Sequence, residues 1–507
     1  MTRRLLLLAL LAVPLAAQTR ESMTVQVVDV PVYVRRGSEP VRGLTRDDFE
    51  LFVNGKKQPI EYFDVLGEKA VEKAVESADG SAVEPPAPLR ERRLFLLVFD
   101  VAFTKPYYIG RARKSALQLI ERAPAADLFA VAISSGTGIT YTVPFTTDRA
   151  ALRLALGQVT ARASSDPLNL VPPSDAPDVA EALTPEGARD TELAAQRPAI
   201  DGQLAGLRDA AARLTQMPGQ KHVIVLSEGF DARAFNDFHG MPKPAPDIFA
   251  RPAPRDMRSR GFTERSAELL MHNKIEALYR IYRSSGVFLH TLDPFGLREI
   301  QEAQGAEALH LLASGTGGQV INDRNDLTAA LADLTDSYSS GYLLGFRPVN
   351  PRRGDNAIVV RVRAKGVAVT HRRGFSGEAP SVDPNNGLFL ADVLLNDVPQ
   401  SGVAATVEVV EGHLRAHVPA SEVPAELMVY LFDAHGTAVE FRRRMIAAGG
   451  PTVVDLQLGM RPGTWVVKTL LRAGESLGFT RTNFKVSAPT GAGSDSTPAA
   501  PRAPSPP

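Results

Sequence analysis

No cysteine occurs in the 507 residues, which excludes disulfides, thiolate-bound zinc or iron–sulfur centres and a cysteine nucleophile. Net charge is absent too. The 57 Lys and Arg balance 57 Asp and Glu, so no global field exists to hold a polyanion, which argues against a nucleic-acid partner. Long apolar runs are missing beyond the N-terminus, and no later segment approaches the roughly 20 residues of a membrane-spanning helix. Nine histidines stand at 222, 239, 272, 290, 310, 371, 413, 417 and 435, and none has His-Glu-x-x-His spacing, so zinc hydrolysis is disfavoured. There is no Gly-Lys-Ser or Gly-Lys-Thr for a Walker-type ATPase and no Gly-x-Ser-x-Gly elbow for a serine hydrolase. Ser134-Ser135-Gly136-Thr137-Gly138 follows a strand pattern but does not lead directly into a helix. Gly315-Thr316-Gly317-Gly318 looks like a phosphate loop but lies after a helix and before a strand, where a glycine helix cap is the better account.

What is present is the composition of a folded protein, 22% charged and 44% hydrophobic, on a chain long enough for two to four domains. It begins Met1-Thr2-Arg3-Arg4, runs apolar from Leu5 to Val13 and reaches Ala17. That is a signal peptide over residues 1–17, cut after Ala17, and it implies a secreted or periplasmic mature protein with no lipid anchor, since no cysteine follows. At the other end, residues 488–507 are Pro, Ala, Ser, Gly and Thr with scarcely a large apolar residue, and are expected to be disordered.

Between the ends the periodicity changes several times. Residues 24–66 read as a small β domain. Val28, Val30, Val32 and Val34 alternate with polar positions, Pro31 suggests an edge strand, and Asn54-Gly55 is the turn of a hairpin. Residues 67–92 are a Pro- and Glu-rich linker. From residue 93 to 347, apolar strands such as Leu94–Phe99, Leu128–Ser134, His222–Leu226 and Val287–Leu292 alternate with helical segments. This predicts an α/β domain, with a central, mostly parallel sheet and helices on both faces. Two stretches, Ala163–Arg197 and Ala234–Gly261, are long for connections; the second holds Arg251, Arg255, Arg258 and Arg260, read as a solvated loop. Residues 348–378 form a β extension. Residues 386–487, with short alternating segments and recurring turns, are read as an Ig-like β-sandwich with Trp465 in its core.

Five phrases, in order, are similar to the secreted, acidobacterial-type proteins related to the von Willebrand factor type A (VWA) domain. They are Val41–Phe49, Lys221–Gly229, Ser285-Gly286-Val287, Gly315–Gly318 and Ser340–Phe346, with Phe99-Asp100-Val101-Ala102-Phe103-Thr104 closing the first strand of the domain. The resemblance covers about Thr24 to Phe375 and implies a Rossmann-like fold with a metal-ion-dependent adhesion site above the sheet. In that family Asp-x-Ser-x-Ser, a Thr and an Asp place oxygens around Mg²⁺. Here the implied ligands are Asp100, Thr104 and Glu228; Ala102 replaces the first serine, and Thr184 and Thr191 are the candidates for the threonine. The implied site is degenerate, and no cofactor is expected.

The resulting expectation is an exported, non-enzymatic protein-binding or adhesion-type protein. Its central domain presents the loops after Asp100, Ser227 and Leu292 to a protein partner. The alternatives are an envelope hydrolase in which Asp100, Glu228 and Asp231 do acid and base work, and a structural cell-surface component.

Overall fold

A computed structural model describes residues 27–67, 89–160, 185–231, 273–297, 305–378, 383, 385–410, 413–434, 436–456 and 461–486. The signal peptide, residues 68–88 of the linker, residues 163–184, the 234–261 loop with its four arginines and the 488–507 tail lie outside the described residues.

Elements β1 (Val28–Arg36), β2 (Glu39–Pro40), β3 (Phe49–Val53), β4 (Lys56–Gln58) and β5 (Tyr62–Leu66) open the chain. Asn54 and Gly55 have φ of 49° and 79°, the two positive values of a type I′ turn, and they join β3 to β4. These strands are completed from far along the chain by β12 (Gly341–Phe346), β13 (Asp355–Val362), β14 (Ala368–His371) and β15 (Gly374–Ser376). One sheet runs β14-β1-β12-β5 and the other β15-β13-β3-β4, and both close on one core that includes Val30, Val32, Leu51, Leu344, Phe346 and Ile358. Gly341–Phe346, which the sequence groups with the central domain, pairs instead with β1 and β5. An apolar run carries no mark of which sheet it joins. The chain thus leaves this sandwich after β5 and re-enters it at β12. Pro31 sits opposite Leu343, while β14 engages only Val32–Arg35, so β1 is interior over those residues and an edge on one side at the proline.

The intervening segment holds β6 (Arg93–Asp100), β7 (Leu128–Ser134), β8 (Ile139–Thr146), β9 (Gln220–Leu226), β10 (Val287–Leu292) and β11 (Val320–Ile321). Their order is β11-β10-β9-β6-β7-β8, all parallel except β8, which runs against β7, so the sheet is mixed. β6 shows how the layers form. Leu94, Leu96 and Val98 face α3 (Pro185–Leu214), α4 (residues 273–285) and α5 (Ala306–Ser314). Phe95, Leu97 and Phe99 face α1 (Pro106–Arg122), α2 (Arg149–Gln158) and α6 (Leu327–Asp336). The period-two alternation of a strand buried on both sides therefore supplies two cores, with helices on both faces. Asp148 caps α2 through the amides of Ala150 and Ala151, and Asp326 caps α6 through that of Ala329. Helix α3 begins at Pro185, within the stretch expected to be a loop. A proline costs nothing in the first helical turn, and Pro198 in the interior did not end the helix.

The last segment opens with α7 (Gly387–Asn396), capped by Asn386, where short strands were expected; its nearly continuous apolar run hides the 3.6-residue period. Then come β16 (Thr406–Val410), β17 (His413–Val418), β18 (Ala425–Phe432), β19 (Ala438–Ile446), β20 (Thr452–Leu456), β21 (Gly463–Ala473) and β22 (Ser476–Val486). They form sheets β16-β17-β20 and β19-β18-β21-β22 around a shared core containing Leu414, Val429 and Val467. Trp465 is 8% exposed in that core, and its indole N–H donates to the Arg461 carbonyl at 2.7 Å. Helix α7 covers the other face of the larger sheet and is tied to the central segment by a buried pair, Arg92 with Asp392, at 2.5 Å.

Candidate functional site

The central sheet determines where a site can form. From β6 the chain winds outward through β7 and β8 to one edge, then returns at β9 and winds through β10 and β11 to the other. The loops that follow β6 and β9 therefore depart in opposite directions, and the carboxyl ends of these two strands form the topological switch point, the usual ligand position in such sheets.

Asp100, the last residue of β6, lies at that switch point and is fully buried. Its Oδ1 accepts the amides of Ala102 at 3.0 Å and Phe103 at 3.2 Å. Its Oδ2 accepts the Ser227 hydroxyl at 2.6 Å and the Gln203 amide nitrogen at 2.8 Å. Burial pushes the Asp100 pKa up, and the four donors, led by Ser227, pull against it. Glu228 is joined to the same loop from the other side. Its Oε2 accepts the Lys105 amide at 2.7 Å, and its own amide donates to Thr104 Oγ1 at 3.2 Å. Ser227 Oγ also accepts the Gly229 amide at 2.8 Å. The loops after β6 and β9 are thus knotted together through Asp100, Thr104, Ser227 and Glu228. From β10, Asp293 Oδ1 accepts the Phe295 amide at 2.9 Å and shapes the third loop. Asp231 is described at the end of the second loop; Thr191 lies on α3, its side chain outside the description, and Thr184 lies outside the described residues.

The donor set can be tested against Mg²⁺, which takes near-octahedral oxygen ligands. A carboxylate offers about four lone-pair sites, and protein donors occupy all four at Asp100. Ala102 has no oxygen, Thr104 Oγ1 accepts the Glu228 amide, and Glu228 Oε2 accepts an amide from the adjacent loop. Gln203 Oε1 and Ser134 Oγ, both neutral, are buried with no hydrogen-bond partner among the described residues. Among the described residues no group of three or more His, Cys, Asp or Glu side chains is placed to hold a metal ion. Hydrogen-bonded in this way, Asp100 has no free lone pair to offer Mg²⁺. The same saturation leaves Asp100 no open lone pair with which to take a proton from an attacking water.

Around this knot the rim is apolar, which the sequence reading did not anticipate. Tyr107 is 76% exposed and meets Tyr108 edge to face at 5.2 Å, and Tyr108 packs on Phe295 of the third loop at 4.8 Å. Phe103 packs on Phe230 at 5.7 Å, and Leu297 is 62% exposed. Arg111 locks the third loop by donating to the carbonyls of Pro294 and Phe295 at 3.1 and 2.6 Å. The signal available in the sequence was aromatic residues placed just after strand ends, at Phe103, Tyr107, Phe230 and Phe295. Gln203, in the middle of a helix, offered none.

No family model matches the chain, and no curated protein matches it in sequence. Among solved structures, the SpRpn10 VWA domain is similar at 7% identity and a TM-score of 0.22, covering 48% of this chain and 94% of that domain. A latent dimeric PorU from Porphyromonas gingivalis is similar at 12% identity and a TM-score of 0.16, covering 30% of this chain and 14% of PorU. The alpha chain of the chicken interferon gamma receptor is similar at 9% identity and a TM-score of 0.14, covering 26% of this chain and 66% of the receptor chain. Likenesses this slight assign the chain to no family.

Proposed function

We propose that this is an exported, non-enzymatic binding protein in which a VWA-like central domain presents the loops after β6, β9 and β10 to a protein partner without using a metal. The observation that carries the reading is the apolar rim of Phe103, Tyr107, Tyr108, Phe295 and Leu297 around a crosslinked set of loops. Tyrosine anchors on a pre-ordered backbone are what concentrates binding energy in protein interfaces, because little conformational entropy is left to lose on docking. The saturated Asp100 serves the platform by fixing the backbone of the first loop, as its bonds to the Ala102 and Phe103 amides imply. The two β-sandwiches position that face or add contacts. The proposed site keeps the place of an adhesion site and has lost its ligand chemistry.

The test is crosslinking in the native envelope from a photoreactive residue at position 107, followed by identification of the captured protein. A discrete partner, lost in a Leu297→Ser variant and retained in EDTA, supports the reading. No specific product, or one that depends on Mg²⁺, overturns it.

A further inference from the structure

A second site is indicated at the opposite end of the central sheet, where the first sandwich meets it. A cleft of about 390 Å³ opens there, lined by Arg283 of α4, the Gly317-Gly318 turn before β11, Ile358 of β13, and His371 and Arg373 beside β14. That volume lies within the ~300–1,000 Å³ of small-molecule pockets. Its charge is one-sided, with two guanidinium groups and no carboxylate among the lining residues. The Arg283 Nε donates to the Gly315 carbonyl at 2.9 Å and its guanidinium sits 5.3 Å from the Tyr279 ring centre, which fixes the group while leaving its terminal nitrogens for a ligand. Asp355, whose pKa burial pushes up against the opposing pull of Arg283 and Arg280, does not line the cleft. Arg373 is exposed; its carbonyl accepts the Ile358 amide at 2.8 Å, and its guanidinium makes no hydrogen bond or ion pair with the described residues.

The scaffold around these arginines is rigid. Between His371 and Arg373, Arg372 spends its guanidinium on the carbonyls of Asp29, Arg283, Ser284 and Gly374 and pins the strand that carries its neighbours. His371 accepts the Val360 amide through Nε2 at 3.3 Å and donates through Nδ1 to the Arg372 carbonyl at 2.8 Å, so it stays neutral. The floor requires glycine. Gly317 has φ of +88°, and a Cβ there would lie 3.1 Å from the His371 carbonyl oxygen and 3.6 Å from Arg373 Cγ, inside the space between the walls.

We propose that this cleft binds a small oxyanion, a carboxylate or phosphate carried on a compact apolar body, with Arg283 and Arg373 holding the anion and Ile358 and Val369 packing the body. Two arginines converging on one aliphatic-walled cleft provide bidentate recognition that solvated surface cations do not. The proposal is independent of the loops around Asp100.

Calorimetric titration of the full-length chain at low salt, with inorganic phosphate and separately with succinate, tests it and distinguishes the two anions. Saturable one-to-one binding of either, weakened about tenfold or more in Arg373→Gln and only partly recovered in Arg373→Lys, is the expected result. Arg444→Gln, on the exposed strand β19, is the control for general charge and should bind like the parent. Because Arg373 is exposed, its variant keeps the fold, and an unchanged melting temperature without anion verifies this. No saturable heat with either anion, or equal weakening by Arg444→Gln, overturns the proposal.

Discussion

Two buried polar clusters in the central sheet solve the same problem in opposite ways. At the carboxyl end Asp100 has every lone pair filled by a donor from another element. In the body of the sheet His222 and His290 stack among Phe95, Phe288, Tyr338 and Tyr33, where the first sandwich packs on the central layer. The backbone amide of Gln319 donates to His290 Nδ1 at 3.0 Å, so the proton of His290 sits on Nε2 and is donated to His222 Nδ1 at 3.2 Å. The proton of His222 is then on Nε2, which is buried with no acceptor among the described residues. Burial drives each cluster toward its neutral form. It raises the Asp100 pKa, lowers that of His290 to about 3 and lowers that of His222 well below 6.5. A strand end can recruit loop amides around a charge. The middle of a sheet, whose amides are already committed to the ladder, can only hold a group that gives its charge up.

The comparison breaks most visibly at Asp100. Asp100→Ala leaves two amides, a hydroxyl and a carboxamide buried without an acceptor, and should cost on the order of 3–5 kcal/mol, read from urea unfolding. A loss under about 1 kcal/mol would mean that the knot does not organise the loops. The next effect is in acid. Both imidazoles have folded pKa values below 6.5, so the fold binds fewer protons than the unfolded chain. The stability they contribute is complete above pH 6.5 and is lost as the pH falls toward about 3, at up to about 1.4 kcal/mol per pH unit for each histidine. Asp100 works with the other sign, its contribution being complete below pH 3.8 and lost as the pH rises through its raised pKa. His222→Phe should therefore flatten the acid slope by about half, and an unchanged slope would place the responsible groups elsewhere.

At the rim, Tyr107→Ser and Leu297→Ser should leave stability within about 0.5 kcal/mol of the parent while reducing capture of the crosslinked partner about tenfold. Equal loss of both would make these residues part of the core rather than of an interface. The smallest expected effect is that of chelation. With the Asp100 carboxylate saturated, EDTA followed by Mg²⁺ should not move the melting temperature, and a reversible rise on adding Mg²⁺ would show that the hydrogen-bonded knot opens to admit a cation.

Much of the fold was legible because burial writes itself into local periodicity. Leu94–Phe99 reads as a strand covered on both faces, and Asn54-Gly55 reads as a type I′ turn. Less legible were the pairing of Gly341–Phe346 with β1 and the length of α3, since a partner strand hundreds of residues away leaves no trace in a local pattern. At the candidate site, Asp100, Thr104 and Glu228 could be named from the phrases around them. Their hydrogen bonds could not, because Gln203 and Ser227 reach Asp100 from α3 and from the loop after β9.

Composition and spacing alone excluded cysteine chemistry and a Walker-type nucleotide site, and located the strands, because those depend on which residues exist and how they alternate. Tertiary structure alone decided that an aspartate at a strand end is enclosed by four donors, that aromatic residues from three loops share one rim, and that arginines on α4 and beside β14 face one cleft. The reason is distance. A side chain's available lone pairs, its dielectric surroundings and its neighbours are set by elements that meet only when the sheet is assembled, and no stretch of sequence short enough to show a period contains them.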